Sequence, residues 1–185
     1  RSGEYIPKDT YSDTETKYVY LTIGQFSGEY VNLEDLTFLE ESVGEQYAHI
    51  RVNSGDLVVT RSGTVGVVHV FRVPDDKIYI PSHHLAIIEV PHDSQHSAEY
   101  LRLILQSDFA RRYFWAYATG KSQKEISNWS IRNIPIPQSE NPERVVEECL
   151  AIEQEMKQLM DQLRNKQVEK EKVLYEAVQR TSIPS

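Results

Sequence analysis

The sequence predicts an α+β fold: a twisted sheet or partial barrel with packed helices, followed by one long C-terminal coiled-coil helix. Three observations predict it. Up to about Pro142 the apolar residues mostly alternate with period two and are interrupted by closely spaced turn signals. A segment after Ser97 changes to helical spacing, so sheet and helix share the first part. From Glu143 to Arg180 there is neither Gly nor Pro, and charges of both signs are interleaved. The expected domains are therefore residues 1–141 and a helical segment, 142–185.

The elements follow in order. Tyr18-Val19-Tyr20-Leu21-Thr22-Ile23 is β-branched and aromatic and stops at Gly24. Leu57–Thr60 and Val65–Phe71 flank Arg61-Ser62-Gly63-Thr64, a hairpin-type connection. Val73–Lys77 is a second turn, leading into Ile78-Tyr79-Ile80. Leu85–Val90 reads as a buried strand ended by Pro91. Ser97 caps a helix whose apolar residues are Leu101, Ile104, Leu105, Phe109 and Tyr113. A basic, glycine-containing loop, Thr119–Lys124, then runs into a strand-like segment, Ile131–Pro137, with alternating prolines.

In the final segment Val145, Cys149, Ile152, Met156, Leu159 and Leu163 follow steps of four and three, a heptad seam. The seam meets Lys166 and Lys170 and resumes at Val173 and Ala177. A lone helix cannot bury such a stripe, so a second helix is expected beside it. The two lysines are the kind of polar break that sets register at a cost in stability.

Composition narrows the function classes. With 39% hydrophobic residues in 185, the chain can bury one core plus an appendage. No apolar run reaches membrane-spanning length, so no membrane partner is expected. The single cysteine, Cys149, excludes an internal disulfide and fits a cytoplasmic setting. The net charge of −8 is unevenly spread. Phe26–Asp56 holds seven acidic residues against one arginine, whereas Tyr100–Arg132 holds six basic against two acidic. Screening lets a polarised domain present one positive face while remaining acidic in total.

Chemistry-bearing motifs are few. Asp75-Asp76-Lys77 has the acidic-x-Lys spelling of many nucleases but sits in a short turn without an upstream carboxylate partner. Ser62, His83 and Asp56 form a triad only on paper, and there is no phosphate-binding Gly loop or nucleophile elbow. His83-His84 lacks a third ligand at a supporting spacing, so no metal site is expected. Tyr113, Phe114, Trp115 and Tyr117 read as helix-face core rather than as a stacking platform. No catalytic centre is expected.

Three segments resemble the specificity subunits of type I restriction-modification systems. Gly55–Gly66 is similar to the family's Gly-Asp-apolar-run-Arg-Ser-Gly-small-x-Gly segment. Thr119–Ile126 is similar to its Gly-x-x-Gln-x-x-Ile loop, and Ile131–Pro137 to the strand that closes each target recognition domain. Arg1-Ser2-Gly3 and Tyr18–Gln25 fit the family's start. The resemblance implies sequence-specific recognition of one half of a bipartite site in double-stranded DNA by a non-catalytic chain. It also implies docking to methyltransferase and restriction subunits. The chain itself would bind no cofactor, S-adenosylmethionine being expected on the methyltransferase partner. A full family member has two recognition domains and two antiparallel helices. One of each here implies a dimerising half-subunit or a fragment of a longer chain. The family's usual Pro-Pro-x-x-Glu-Gln helix start is replaced by Pro137-Gln138-Ser139-Glu140-Asn141-Pro142.

For groove readout, arginine is bidentate to guanine, and glutamine or asparagine to adenine. Candidate DNA contacts are Arg61, Ser62 and Thr64 in one loop and Lys121, Ser122, Gln123 and Lys124 in the other. The plainer possibility is that Gly63 and Gly120 merely turn the chain. In that case Arg61 pairs with a structural carboxylate such as Asp56. The competing function is a protein-interaction module that acts through the coiled-coil helix and binds no DNA.

Overall fold

The structure is a computed structural model that describes residues 1–26, 31–73, 76–91 and 93–181. The chain divides into two compact units, Arg1–Pro142 and the segment from Glu143 onward. In the first unit, strands β1 (Tyr11–Ser12), β2 (Tyr18–Leu21), β3 (Thr37–Leu39) and β6 (Ile78–Pro81) form one sheet in the order β1-β3-β2-β6. Strands β4 (Leu57–Thr60), β5 (Val68–Val70) and β7 (Leu85–Ile88) form a second, antiparallel sheet in the order β5-β4-β7. All pairs in the first sheet are antiparallel except β2 with β6.

Alternation of side chains along the strands builds the layers. Leu57 and Val59 of β4, with Ala86 of β7, face the helices α2 (Ala98–Gln106) and α3 (Asp108–Tyr117). Val58, Leu85 and Ile87 point the other way and meet Val19 and Leu21 of β2 and Tyr79 of β6 between the sheets. Tyr18, Tyr20 and Ile80 lie on the far face of the first sheet, against Val43 and Tyr47 of α1 (Glu41–Tyr47). Both faces of both sheets are therefore covered, which is why β2 and β4 are buried along their whole length. The Tyr20 phenol, pushed up to about 12 by burial, donates to the Glu4 carbonyl at 2.9 Å and ties the opening segment to β2.

Several expectations need correction. The single helix after Ser97 is two helices. Ser97 does cap α2, accepting from the Tyr100 N–H, but Ser107 ends α2 and its hydroxyl caps α3. A serine with extended ψ competes with helical hydrogen bonding and stops it. The strand expected at Ile131–Pro137 is absent. Ser127 caps a short helix, α4 (Asn128–Arg132), and the following residues form no ladder. Pro135 and Pro137 have no N–H to offer one. The β4–β5 connection is wider than a tight hairpin, since β5 begins at Val68, and β2 and β7 end early, at Leu21 and Ile88. Asp75, of the acidic turn, lies outside the described residues.

The second unit is helical: it lies in α5 (Pro142–Thr181), a helix of 40 residues, or about 60 Å at 1.5 Å per residue, whose first residue closes the first unit. Val145 and Cys149 are partly covered, and every seam residue from Ile152 onward is exposed.

Candidate nucleic-acid interface

Both candidate loops lie at one end of the second sheet, held together through Arg61. This residue follows β4 directly, and its N–H donates to the His84 carbonyl at 2.8 Å. Its own carbonyl accepts from the Ile126 N–H at 2.8 Å. The guanidinium donates through Nε to the Ile126 carbonyl (3.2 Å), through Nη1 to the His83 carbonyl (3.2 Å) and through Nη2 to the Glu125 carboxylate (3.0 Å). Its carboxylate partner is thus Glu125. Asp56 instead lies 3.4 Å from Arg1 and accepts the Asn53 N–H. The planar fork of arginine suits three acceptors in different directions.

The rest of the first loop is mostly internal. Ser62 is buried, and its hydroxyl makes a short hydrogen bond to His84 Nδ1. The His83 and His84 rings lie 3.8 Å apart, and Tyr5 stands edge-on to His83. Burial, then the neighbouring His84, hold the His83 imidazole below its ordinary pKa. The triad of Ser62, His83 and Asp56 that could be drawn on paper is not assembled in the fold; the histidine at Ser62 is His84, and Asp56 is engaged elsewhere. Among the described residues, no group of three or more His, Cys, Asp or Glu is placed to hold a metal. Only Gly63 and Thr64 of this loop face solvent.

The second loop is built differently. Thr119 and Glu125 exchange both backbone hydrogen bonds at 2.9 Å and so close the loop at its base. Gly120 has φ +100°, and a Cβ there would meet the Gln123 carbonyl oxygen at 2.0 Å. Glycine is the residue this turn tolerates. Ile126, fully buried, pins the outgoing chain into the core. Lys121, Ser122, Gln123 and Lys124 are all exposed, and their side chains make no hydrogen bond or ion pair with the described residues. Their donors and acceptors stand on a stiff frame, open to a ligand.

The surroundings add charge and rings. Arg112 of α3 and Arg132 of α4 are exposed and lack an ion pair among the described residues, whereas Arg111 is paired with Asp108. The aromatic run splits, contrary to the core reading. Phe114 is buried and Tyr113 half-buried, but Trp115 and Tyr117 are exposed. Helical spacing turns two of these four rings outward, a distinction that their adjacency in sequence hid. Trp129 was not among the sequence candidates, nor was Glu125. The Ser127-x-x-Ser130 cap was the available signal that Trp129 lies in a helix.

The seam candidates, Val145, Cys149, Ile152, Met156, Leu159, Leu163, Val173 and Ala177, all belong to α5. Around the polar break Lys166 pairs with Glu169 at 2.6 Å, within the same helix.

No known family pattern and no curated protein matches the chain. Solved structures do. It is similar to the S subunit of a type I restriction-modification system from M. genitalium, with 15% identity and a TM-score of 0.53, over 87% of this chain and 38% of that one. It is also similar to the HsdS subunit from Thermoanaerobacter tengcongensis, with 17% identity and a TM-score of 0.59, over 90% of this chain and 44% of that one. The chain thus spans about two fifths of the length of these structures. What the likeness establishes is architecture: this α+β unit with its long helix has the fold of type I S subunits.

Proposed function

We propose that this chain is a non-catalytic DNA-recognition unit of a restriction-modification system, reading one half of a bipartite site. The observation that carries the proposal is the Gly120–Lys124 loop. Four exposed donor and acceptor side chains, two of them cationic, stand on a closed backbone frame within a fold shared with S subunits. Lysines would hold phosphates and set orientation, while Gln123 is suited to bidentate contact with adenine in the major groove. The first loop supports the second. Arg61 and Ser62 fix its base from inside, and Thr64 is the side chain there left to meet DNA.

The helix α5 would pair along its exposed seam with a second helix, from another copy or from the remainder of a longer protein. It would present a surface to methyltransferase and restriction subunits, S-adenosylmethionine residing on the methyltransferase partner. The setting would be cytoplasmic; no helix among the described residues is long and apolar enough to cross a membrane.

A salt titration with duplex DNA tests the reading. Affinity should fall steeply from low to physiological salt as counterions return to the phosphates. The exposed seam also suits a purely protein-binding module, and absence of DNA binding at every salt concentration, with the helix partner present, selects that function. Changing Leu159 and Leu163 together to Glu should yield a monomer by light scattering with the thermal transition of the first unit unchanged. An unaltered oligomer would exclude the seam.

A further inference from the structure

Tyr117 and Trp129 are large, exposed by 47% and 61%, and lie side by side with ring centroids 6.1 Å apart and planes tilted by 54°. Their positions are tied to the basic loop. Tyr117 lies two residues before Thr119 and Trp129 four residues after Glu125, and those two residues form the hydrogen-bonded base of the loop. The chain entering the loop and the chain leaving it are therefore joined twice, once by the Thr119–Glu125 bridge and again by this ring contact. Trp129 is also held in place from below. The neighbouring Ser130 and Ile131 of α4 are buried, and Ser127 accepts the Ser130 N–H at 3.0 Å. An exposed tryptophan on an anchored helix turn, in contact with an exposed tyrosine, forms an apolar patch that water covers poorly.

We infer that the Tyr117–Trp129 pair is a second DNA-contacting element, packing its rings against a base or base step beside the phosphates that the basic loop holds. The inference rests on the DNA-recognition reading and adds an apolar contact to it. Charge complementarity selects the occupant. Lys121 and Lys124 of the loop between the two rings, and Arg132 three residues after Trp129, carry no ion pair among the described residues. The nearest acid in sequence, Glu125, is engaged by Arg61. A polyanion carrying flat apolar bases satisfies both the cations and the rings. Aromatic side chains against bases contribute enough that truncation to alanine typically costs about tenfold or more in affinity, and wedges of this kind act by partly unstacking a base step.

The test uses the full chain in a Trp115→Phe background, which leaves Trp129 as the sole tryptophan. A random-sequence duplex pool is titrated at low salt, followed by a 2-aminopurine-labelled duplex drawn from the sequences the protein retains. Trp129 emission should be quenched by saturating duplex and 2-aminopurine emission should rise. Trp129→Ala should weaken binding about tenfold with an unchanged salt slope, and Trp129→Phe should recover most of the loss. Lys121→Ala with Lys124→Ala should instead lower the salt slope by roughly two. An unaltered thermal transition in Trp129→Ala, expected for an exposed ring, excludes misfolding as the cause. Wild-type affinity in Trp129→Ala, or unquenched Trp129 emission at saturation, would overturn the inference while leaving the reading of the basic loop intact. If the parent chain, with its helix partner present, fails to bind duplex at low salt, the DNA reading falls and this inference with it.

Discussion

The loop after β4 and the loop after α3 look alike in sequence, each a glycine among polar and basic residues, yet the fold uses them in opposite ways. In the first, Arg61 and Ser62 turn inward and fasten three segments to one another. In the second, a backbone bridge and Gly120 do the fastening, and the four side chains between them face solvent. A basic residue next to glycine is thus no measure of availability. What decides is whether the backbone already satisfies the turn, because only then is the side chain free for a ligand. An exposed loop alone would be floppy, and an internal clamp alone would touch nothing. Recognition would need both, and the Arg61–Glu125 pair at 3.0 Å is where they meet.

The comparison can be broken in four places. The largest effect is expected from replacing Lys121, Gln123 and Lys124 together with alanine. Sequence-specific binding should fall by about two orders of magnitude or more, since mismatch-scale and phosphate losses add. The thermal transition should stay within about a degree, because surface substitutions rarely matter to stability. Arg61→Ala should do the reverse. It strips the Ile126 and His83 carbonyls of a donor and removes the partner of Glu125, whose own exposure makes the ion pair a minor part of the loss. Destabilisation of about 2 kcal/mol is expected, read as a fall in chemical-denaturation midpoint, with weaker DNA binding only as a consequence. Arg61→Lys should recover little, since an ammonium cannot reach three divergent acceptors.

Gly120→Ala sharpens the contrast further. The new Cβ collides with a carbonyl oxygen in a backbone region that alanine avoids, costing about 1–3 kcal/mol confined to the loop. Hydrogen exchange should rise at Thr119 and Glu125 while the β4 amides stay protected. The smallest effect concerns pH. His83 faces His84, Arg61, Glu125 and Glu4, and burial followed by His84 lowers its pKa from the ordinary 6.5. Its stabilising contribution is therefore complete above that value and is lost as pH falls through the lower folded-state pKa. His83→Gln should flatten the acid side of the stability profile, and an identical profile would show that the pair is inert.

Much of the architecture was legible because burial on two faces leaves a plain signature. The runs Leu57–Val59 and Leu85–Ile88 are continuous and apolar, and they lie in strands covered on both sides. Ser97 was legible as a helix cap for the same reason that Ser107 was not. The first precedes a helical pattern, whereas the second interrupts one whose apolar spacing carries on across the break. Ile134-Pro135-Ile136-Pro137 reads as a strand, but without N–H groups at its prolines it joins no ladder among the described residues, and the Pro137 carbonyl instead accepts from the Tyr100 hydroxyl at 2.8 Å. The membership of the exposed loop, Lys121 to Lys124, could be named from residue type and glycine placement. Glu125 as the anchor of Arg61 could not, because the pairing spans 64 residues and depends on where two separate turns come to rest. The outward rings were hidden likewise. Four aromatics within five residues of one helix carry no label that says which of them the core takes.

The central claim is that a rigid basic loop discriminates among duplex sequences. Selection from a random duplex pool, carried out with the complete assembly including the helix partner, addresses it most directly. The account predicts enrichment of one short motif by the wild-type protein, and loss of that motif with the fold intact when Lys121, Gln123 and Lys124 are alanine. A pool that emerges from the wild-type selection with its starting composition would contradict it.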